Sequence, residues 1–145
     1  IGERDDTVYA DDIYVGYRYF DTEEVEPLFP FGHGLSYTSF VYDNFSIEKE
    51  NLTPEEKIVL HFTLENTGKA AGTEVVQIYA RDVYGSVMRP VKQLIAFDRI
   101  TLAAGEKKEI TVTLAPEKLA LLDRKMKWKI EKGEFKNNLN YLYKN

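Results

Sequence analysis

The stretch from Ile58 to Leu64 constrains this chain more than any other part of it. Ile58, Leu60, Phe62 and Leu64 alternate strictly with Val59, His61 and Thr63. A period of two puts the first set on one face of an extended strand and the second on the other. An apolar strand face must be covered by a second layer, so this pattern demands a partner sheet or helix. The same signature recurs. Val76, Ile78 and Ala80 lie opposite Val75, Gln77 and Tyr79, while Ile110, Val112 and Leu114 alternate with Thr111 and Thr113. Phe40 and Tyr42, then Phe45 and Ile47, make another strand whose phase slips near Asn44, the mark of a bulge. Leu94, Phe97, Ile100 and Leu102 form a less regular apolar set.

Turn signals separate these segments: Glu65-Asn66-Thr67-Gly68, a loop over 81–90 with Gly85-Ser86 at its tip, and Ala104-Gly105-Glu106. Short strands with turns about every 8 to 12 residues predict an all-β sandwich with Greek-key wiring. Ten Tyr and eight Phe against one Trp and two Met favour the same class, because flat rings fit a pleated surface. Beyond Pro116 the pattern is harder. Residues 116–122 fit one helical turn or a short strand. Met126, Trp128 and Ile130 alternate with lysines, which predicts a strand with one wet face. Phe135, Leu139, Tyr141 and Tyr143 fit a final strand, although three asparagines in 136–140 argue against it.

With 145 residues the chain fits one domain. Residues 1–30 are irregular, acidic and ring-rich, with Tyr14, Tyr17, Tyr19 and Phe20 too close together for a solvated linker. We expect an extended aromatic docking arm over 1–30, packed on its own body or a neighbour's, and the sandwich over 31–145. Between them, the glycines flanking His33 in Pro30-Phe31-Gly32-His33-Gly34-Leu35-Ser36-Tyr37 force a tight turn.

The chemistry available is limited. A formal charge of −5 with scattered cations disfavours nucleic acid and membrane as partners. Without cysteine there are no disulfides or thiolate metal sites. His33 and His61 are the only imidazoles and neither has ligands at metal spacing, so no metal or cofactor is expected. His33 reads as a hydrogen-bonded turn residue and His61 as a surface one. No Gly-x-Ser-x-Gly elbow and no phosphate-cradling glycine loop occurs. The carboxylate pairs Asp5-Asp6, Asp11-Asp12 and Glu23-Glu24 are adjacent in sequence, so they point apart on an extended chain and read as solvated. No catalytic constellation is offered. The one segment that asks for a partner is Tyr17-Arg18-Tyr19-Phe20-Asp21, whose rings could stack on sugars or seal the arm onto protein; we expect the latter. No apolar run approaches the roughly 18 residues that span a bilayer. The N-terminus lacks both a signal-peptide profile and an initiator Met, which fits a processed chain, a fragment or an excised domain, in the cytosol or secreted.

Several stretches resemble one family. Val15-Gly16-Tyr17-Arg18-Tyr19-Phe20-Asp21 and Pro27-Leu28-Phe29-Pro30-Phe31-Gly32-His33-Gly34-Leu35-Ser36-Tyr37 resemble the entry into the C-terminal fibronectin type III-like domain of family 3 glycoside hydrolases. Asn66-Thr67-Gly68, Glu74-Val75-Val76-Gln77-Ile78-Tyr79, Arg89-Pro90-Val91-Lys92-Gln93-Leu94 and Ala104-Gly105-Glu106 continue the likeness in order. It implies an immunoglobulin/fibronectin III-like sandwich of about seven antiparallel strands. It also implies a parent enzyme that is a retaining β-glycosidase of the β-glucosidase or β-xylosidase kind. The family's aspartate nucleophile belongs to a (β/α)₈ barrel of about 250 residues, which this chain cannot contain. The departures are Asp12 and Ala96, where glycine is usual, and the end of the chain. After Gly133-Glu134-Phe135 the expected strand, turn and strand are replaced by residues 136–145, which suggests truncation or a reading-frame change.

Three functions follow as expectations. The first is a non-catalytic accessory module that braces the catalytic domains, or self-associates through the arm, with Tyr17, Arg18, Tyr19, Phe20, Asp21 and His33 as interdomain or sugar contacts. The second is a free carbohydrate-binding or protein-interaction module using the same arm and taking an oligosaccharide. An independent glycosidase is the third, and size and missing motifs disfavour it.

Overall fold

The computed structural model of the chain describes residues 2–3, 6–7, 10–83, 86–131, 133 and 135–139, with the backbone alone for 2–3, 6–7 and 135–139. Asp5, Gly85, Tyr141 and Tyr143 lie outside the described residues. Six long strands build two three-stranded antiparallel sheets. One sheet runs β3 (Phe40–Ile47), β4 (Ile58–Asn66), β7 (Lys107–Leu114), and the other β10 (Phe135–Leu139), β5 (Gly72–Asp82), β6 (Gln93–Leu102). Two ribbons of two-residue strands complete the ten among the described residues: β1 (Gly2–Glu3) with β2 (Asp6–Thr7), and β8 (Leu121–Leu122) with β9 (Trp128–Lys129). The chain changes sheet after β4, after β6 and again before β10, which is a sandwich's crossing pattern.

The alternation of β4 becomes its burial: Ile58, Leu60, Phe62 and Leu64 are all buried, with half-buried residues between them. They meet Val76, Ile78, Ala80, Ile100 and Leu102 of the opposite sheet, and Leu114 of their own. Burying each large aliphatic or Phe side chain contributes roughly 1.5–3 kcal/mol, so this layer dominates the fold's stability. The bulge in β3 is where the sequence puts it: the register with β4 slips between Asp43 and Ser46, and Asn44 adopts φ 54.

Asn66 does more than open the expected turn. It ends β4 as a fully buried polar side chain. Its amide nitrogen donates to the carbonyls of Ala70 at 2.8 Å and Leu102 at 3.3 Å. Its carbonyl oxygen accepts from the Gly68 N–H at 3.1 Å and from the Thr38 hydroxyl. One side chain thereby joins the entry to β3, the β4–β5 turn and the end of β6. A methyl group on Gly68 would stand 2.0 Å from the Thr38 hydroxyl, so only glycine lets these loops close so tightly.

Three expectations are corrected. In β6 the register with β5 shifts so that Ile95 is an extra residue opposite the Ile78–Tyr79 step. Ile95 is buried in place of Leu94, and Phe97 is 71% exposed. Over 123–127 a tight turn replaces the strand expected to contain Met126. The Asp123 carboxylate accepts the N–H groups of Lys125 and Lys127, and Met126 sits at φ 58. β5 runs on to Asp82, shortening the loop expected from residue 81, while residues 116–119 take the helical turn that was one of the two forms expected there.

Candidate functional site: the arm cleft

The arm expected to be extended contains a short helix, α1 (Tyr17–Thr22). Gly16 enters it at φ 62. Glu24, at φ 52, closes it while the Val25 N–H donates to the Phe20 carbonyl at 3.0 Å, the bond pattern of a Schellman end. Tyr17 and Asp21, four residues apart, share one helix face. That face lies on the outer side of the β5–β6 pair.

The docking is specific. The Leu94 N–H donates to the Tyr17 phenol at 3.0 Å. The Tyr17 ring packs against Tyr79 at 5.7 Å and Phe31 at 5.4 Å between centroids. Asp21 and Lys92 form an ion pair at 3.0 Å, and the same ammonium stands 5.4 Å from the centre of the Tyr79 ring. The Tyr79 hydroxyl donates to Gln77 at 2.6 Å. Tyr79, assigned by alternation to the outer face, is indeed on that face, yet only 6% exposed because the arm covers it. Gly32 fixes the second contact. It has φ 84, and a β-carbon there would come within 2.0 Å of the Gln77 amide nitrogen.

Between arm and sheet lies a cleft of about 250 Å³ lined by Tyr17, Asp21, His33, Gln77, Tyr79 and Lys92 among others. It is smaller than the roughly 300–1,000 Å³ of ordinary ligand pockets. Of the six expected contact residues, the fold brings Tyr17, Asp21 and His33 to the cleft. Arg18, Tyr19 and Phe20 do not line it; Tyr19 and Phe20 pack on each other at 5.6 Å. His33 closes the turn by donating its N–H to the Pro30 carbonyl at 2.9 Å, with its ring 5.1 Å from that of Phe29. His61 lies elsewhere, sharing a 3.0 Å hydrogen bond with the Thr111 hydroxyl on the neighbouring strand.

Lys92, Gln77 and Tyr79 were not foreseen as site residues. An outward tyrosine on a strand whose inner face is apolar is the one signal that could have marked them.

Glu74 borders the cleft but is tied to the opposite sheet, accepting the Tyr42 hydroxyl at 2.9 Å. Burial raises the Glu74 carboxyl above its ordinary range, with the Tyr42 hydrogen bond opposing. Burial, then the charge of Glu74 and its hydrogen bond, raises the Tyr42 phenol and keeps it protonated. Among the described residues, no group of three His, Cys, Asp or Glu side chains could hold a metal ion. The arrangement seals one surface onto another.

The same segment also carries bare apolar side chains. Leu28 and Phe29 are exposed, and Leu35 and Tyr37 are 99% and 100% exposed. Apolar side chains this exposed on a segment packed against β5 have the character of a contact surface.

Residues 74–137 match the fibronectin type III-like domain family. The chain is 45% identical over 135 residues to thermostable β-glucosidase B of Acetivibrio thermocellus, covering 92% of this chain and 18% of that protein. It is 44% identical over 129 residues to β-glucosidase BoGH3A of Bacteroides ovatus, covering 88% and 17%. Among solved structures, the β-glucosidase DesR of Streptomyces venezuelae superposes with a TM-score of 0.81 at 38% identity, over 91% of this chain and 17% of that one. β-Glucosidase 3B of Thermotoga neapolitana gives 0.80 at 37%, over 90% and 18%. The chain thus spans less than a fifth of the length of these relatives.

Proposed function

Because this chain carries the fibronectin type III-like domain of the family 3 glycoside hydrolases, we propose that it is an accessory module that braces the catalytic part of a β-glucosidase-type enzyme. The reaction belongs to that larger part, and this chain supplies a docking face. The observation that carries this reading is the exposure of Leu35 and Tyr37, with Leu28 and Phe29, on a segment packed against β5. Apolar side chains held rigidly in water favour burial against a partner by roughly 25 cal/mol per Å² covered.

One ring of the sugar-stacking alternative is engaged within the chain: Tyr17 packs on Tyr79 and Phe31 and its hydroxyl accepts from Leu94.

The test is a chimaera in which this chain replaces the aligned segment of Acetivibrio thermocellus β-glucosidase B. The chimaera should be soluble and hydrolyse an aryl-β-glucoside, while this chain alone should not. Leu35→Asp with Tyr37→Asp should lower the chimaera's melting temperature without unfolding the isolated chain. A chimaera indifferent to both charges would refute the docking role.

A further inference from the structure

The β8–β9 ribbon carries a second unusual surface, and none of its residues lines the arm cleft. Leu122 and Trp128 are direct cross-strand partners, so their side chains share one face. The companion residue Leu121 is buried, while Trp128 is 74% exposed and Met126, at the turn, 75%. Arg124, Lys125 and Lys127 flank the knob along the chain and are all exposed, as is Lys129, which pairs with Leu121 on the ribbon's other face. Among the described residues, Asp123 within the ribbon and Glu131 just beyond it are hydrogen-bonded carboxylates. Asp123 accepts the N–H groups of Lys125 and Lys127 at 2.8 and 3.0 Å, and Glu131 accepts the N–H and hydroxyl of Ser86, 3.8 Å from Lys129. A chain of net charge −5 thus presents a strongly cationic, aromatic ribbon held in shape by its own turn.

We propose that this ribbon binds an acidic polysaccharide, one whose sugar rings carry carboxylates. The indole face matches the apolar face of a pyranose, and the ammonium and guanidinium groups along the turn and both faces of the ribbon match carboxylates on successive sugars. A thin, linear ligand suits the ribbon's size, since three apolar side chains offer far less than the roughly 800 Å² per partner of a stable protein interface. Charge argues against a bilayer, because the chain as a whole carries −5 and an extended anionic plane repels it.

The chain holds one Trp, so its fluorescence reports on this site directly. Titration with polygalacturonate should give a saturable change in Trp128 emission that weakens with added salt. Fully methyl-esterified polygalacturonate, with the same rings but no charge, should bind at least tenfold more weakly. Lys125→Gln/Lys127→Gln/Lys129→Gln should lose a similar factor at unchanged circular dichroism. In Trp128→Ala, binding followed by affinity electrophoresis in a polygalacturonate gel should vanish. The proposal is overturned by no response, by equal response to the esterified polymer, or by tighter binding to vesicles of phosphatidylglycerol and phosphatidylcholine. Capture by a polyglutamate peptide as tight as by polygalacturonate would overturn it too, as it would show charge alone at work.

Discussion

Tyr17 and Tyr79 form an edge-on pair, with ring planes at 78° and centroids 5.7 Å apart, and through it the N-terminal arm becomes part of the sandwich. An edge-on pair adds about 0.5–1.5 kcal/mol beyond the area it buries. Tyr17→Phe keeps the ring but strips the acceptor from the Leu94 N–H, and should cost about 1 kcal/mol in urea unfolding. Tyr17→Ala should cost about 3 kcal/mol. It should also expose the Leu94 amide to fast hydrogen exchange. Slow exchange at Leu94 in Tyr17→Ala would mean that the arm contributes nothing to this edge.

Asn66 is the most demanding single residue in the fold. It is fully buried and makes four side-chain hydrogen bonds that join three loops. Removing the amide leaves buried carbonyls and an N–H without partners, so Asn66→Ala should destabilise by about 2–4 kcal/mol. Asn66→Asp should be no better at neutral pH, because its carboxylate would face the carbonyls of Ala70 and Leu102. A loss below 1 kcal/mol in Asn66→Ala would show that water replaces the side chain without strain.

Much of this was legible in the sequence, for a definite reason. A strand with one buried face writes its burial as a period of two, as β4, the second half of β7 and the inner face of β5 do. What escaped were places where local chemistry outweighs the period. Ile95 is inserted as a bulge and shifts the phase of β6, which hid that Phe97 points to solvent. Asp123 folds the Met126 segment into a turn through two backbone hydrogen bonds that no hydropathy pattern records. Tyr17 and Asp21 stood out in the sequence, but not Lys92, because the ion pair depends on a helix that brings distant segments together. Neither Arg18 nor Phe20 joins the cleft, since the same helix turns them away.

Glu74 gives the fold a pH dependence of known sign. Burial raises its folded-state value above the ordinary 4.5. The folded protein therefore holds this proton more tightly than the unfolded chain does. Its contribution is fully present below about pH 4.5 and is lost as pH rises through the raised value. Glu74→Gln removes the titration and still accepts the Tyr42 hydroxyl, which burial keeps protonated. The variant should therefore gain stability relative to the parent on going from pH 4 to pH 7. Parallel pH profiles from urea denaturation would refute this.

Gly32 tests how closely the His33 turn must approach β5. Any side chain there carries the strain of φ 84 and displaces the Gln77 amide, whose nitrogen would lie 2.0 Å away. Gln77 also receives the Tyr79 hydroxyl, so the disturbance reaches the ring that Tyr17 packs on. Gly32→Ala should cost about 1–3 kcal/mol by the penalty of a left-handed non-glycine residue. It should speed exchange of the His33 amide, which is bonded to Pro30. Unchanged exchange there would place the turn's stability elsewhere.

Asp123 separates the shape of the ribbon from its charge. Its carboxylate holds the Lys125 and Lys127 N–H groups, and its own N–H donates to the Lys127 carbonyl at 2.9 Å, so the turn is closed from both sides. Met126 rests at φ 58 only because those bonds outweigh its preference for the right-handed region. Asp123→Ala deletes two charge-assisted bonds and should release Lys125 and Lys127 to fast amide exchange, at a cost of about 1–2 kcal/mol. Asp123→Asn keeps an acceptor at the same place and should restore most of the protection while raising the local positive charge. If charge alone governed polygalacturonate binding, both variants would bind more tightly than the parent. If a preformed ribbon is required, Asp123→Asn should bind at least as well as the parent and Asp123→Ala distinctly worse, because the polymer must then order the turn that Asp123 otherwise holds.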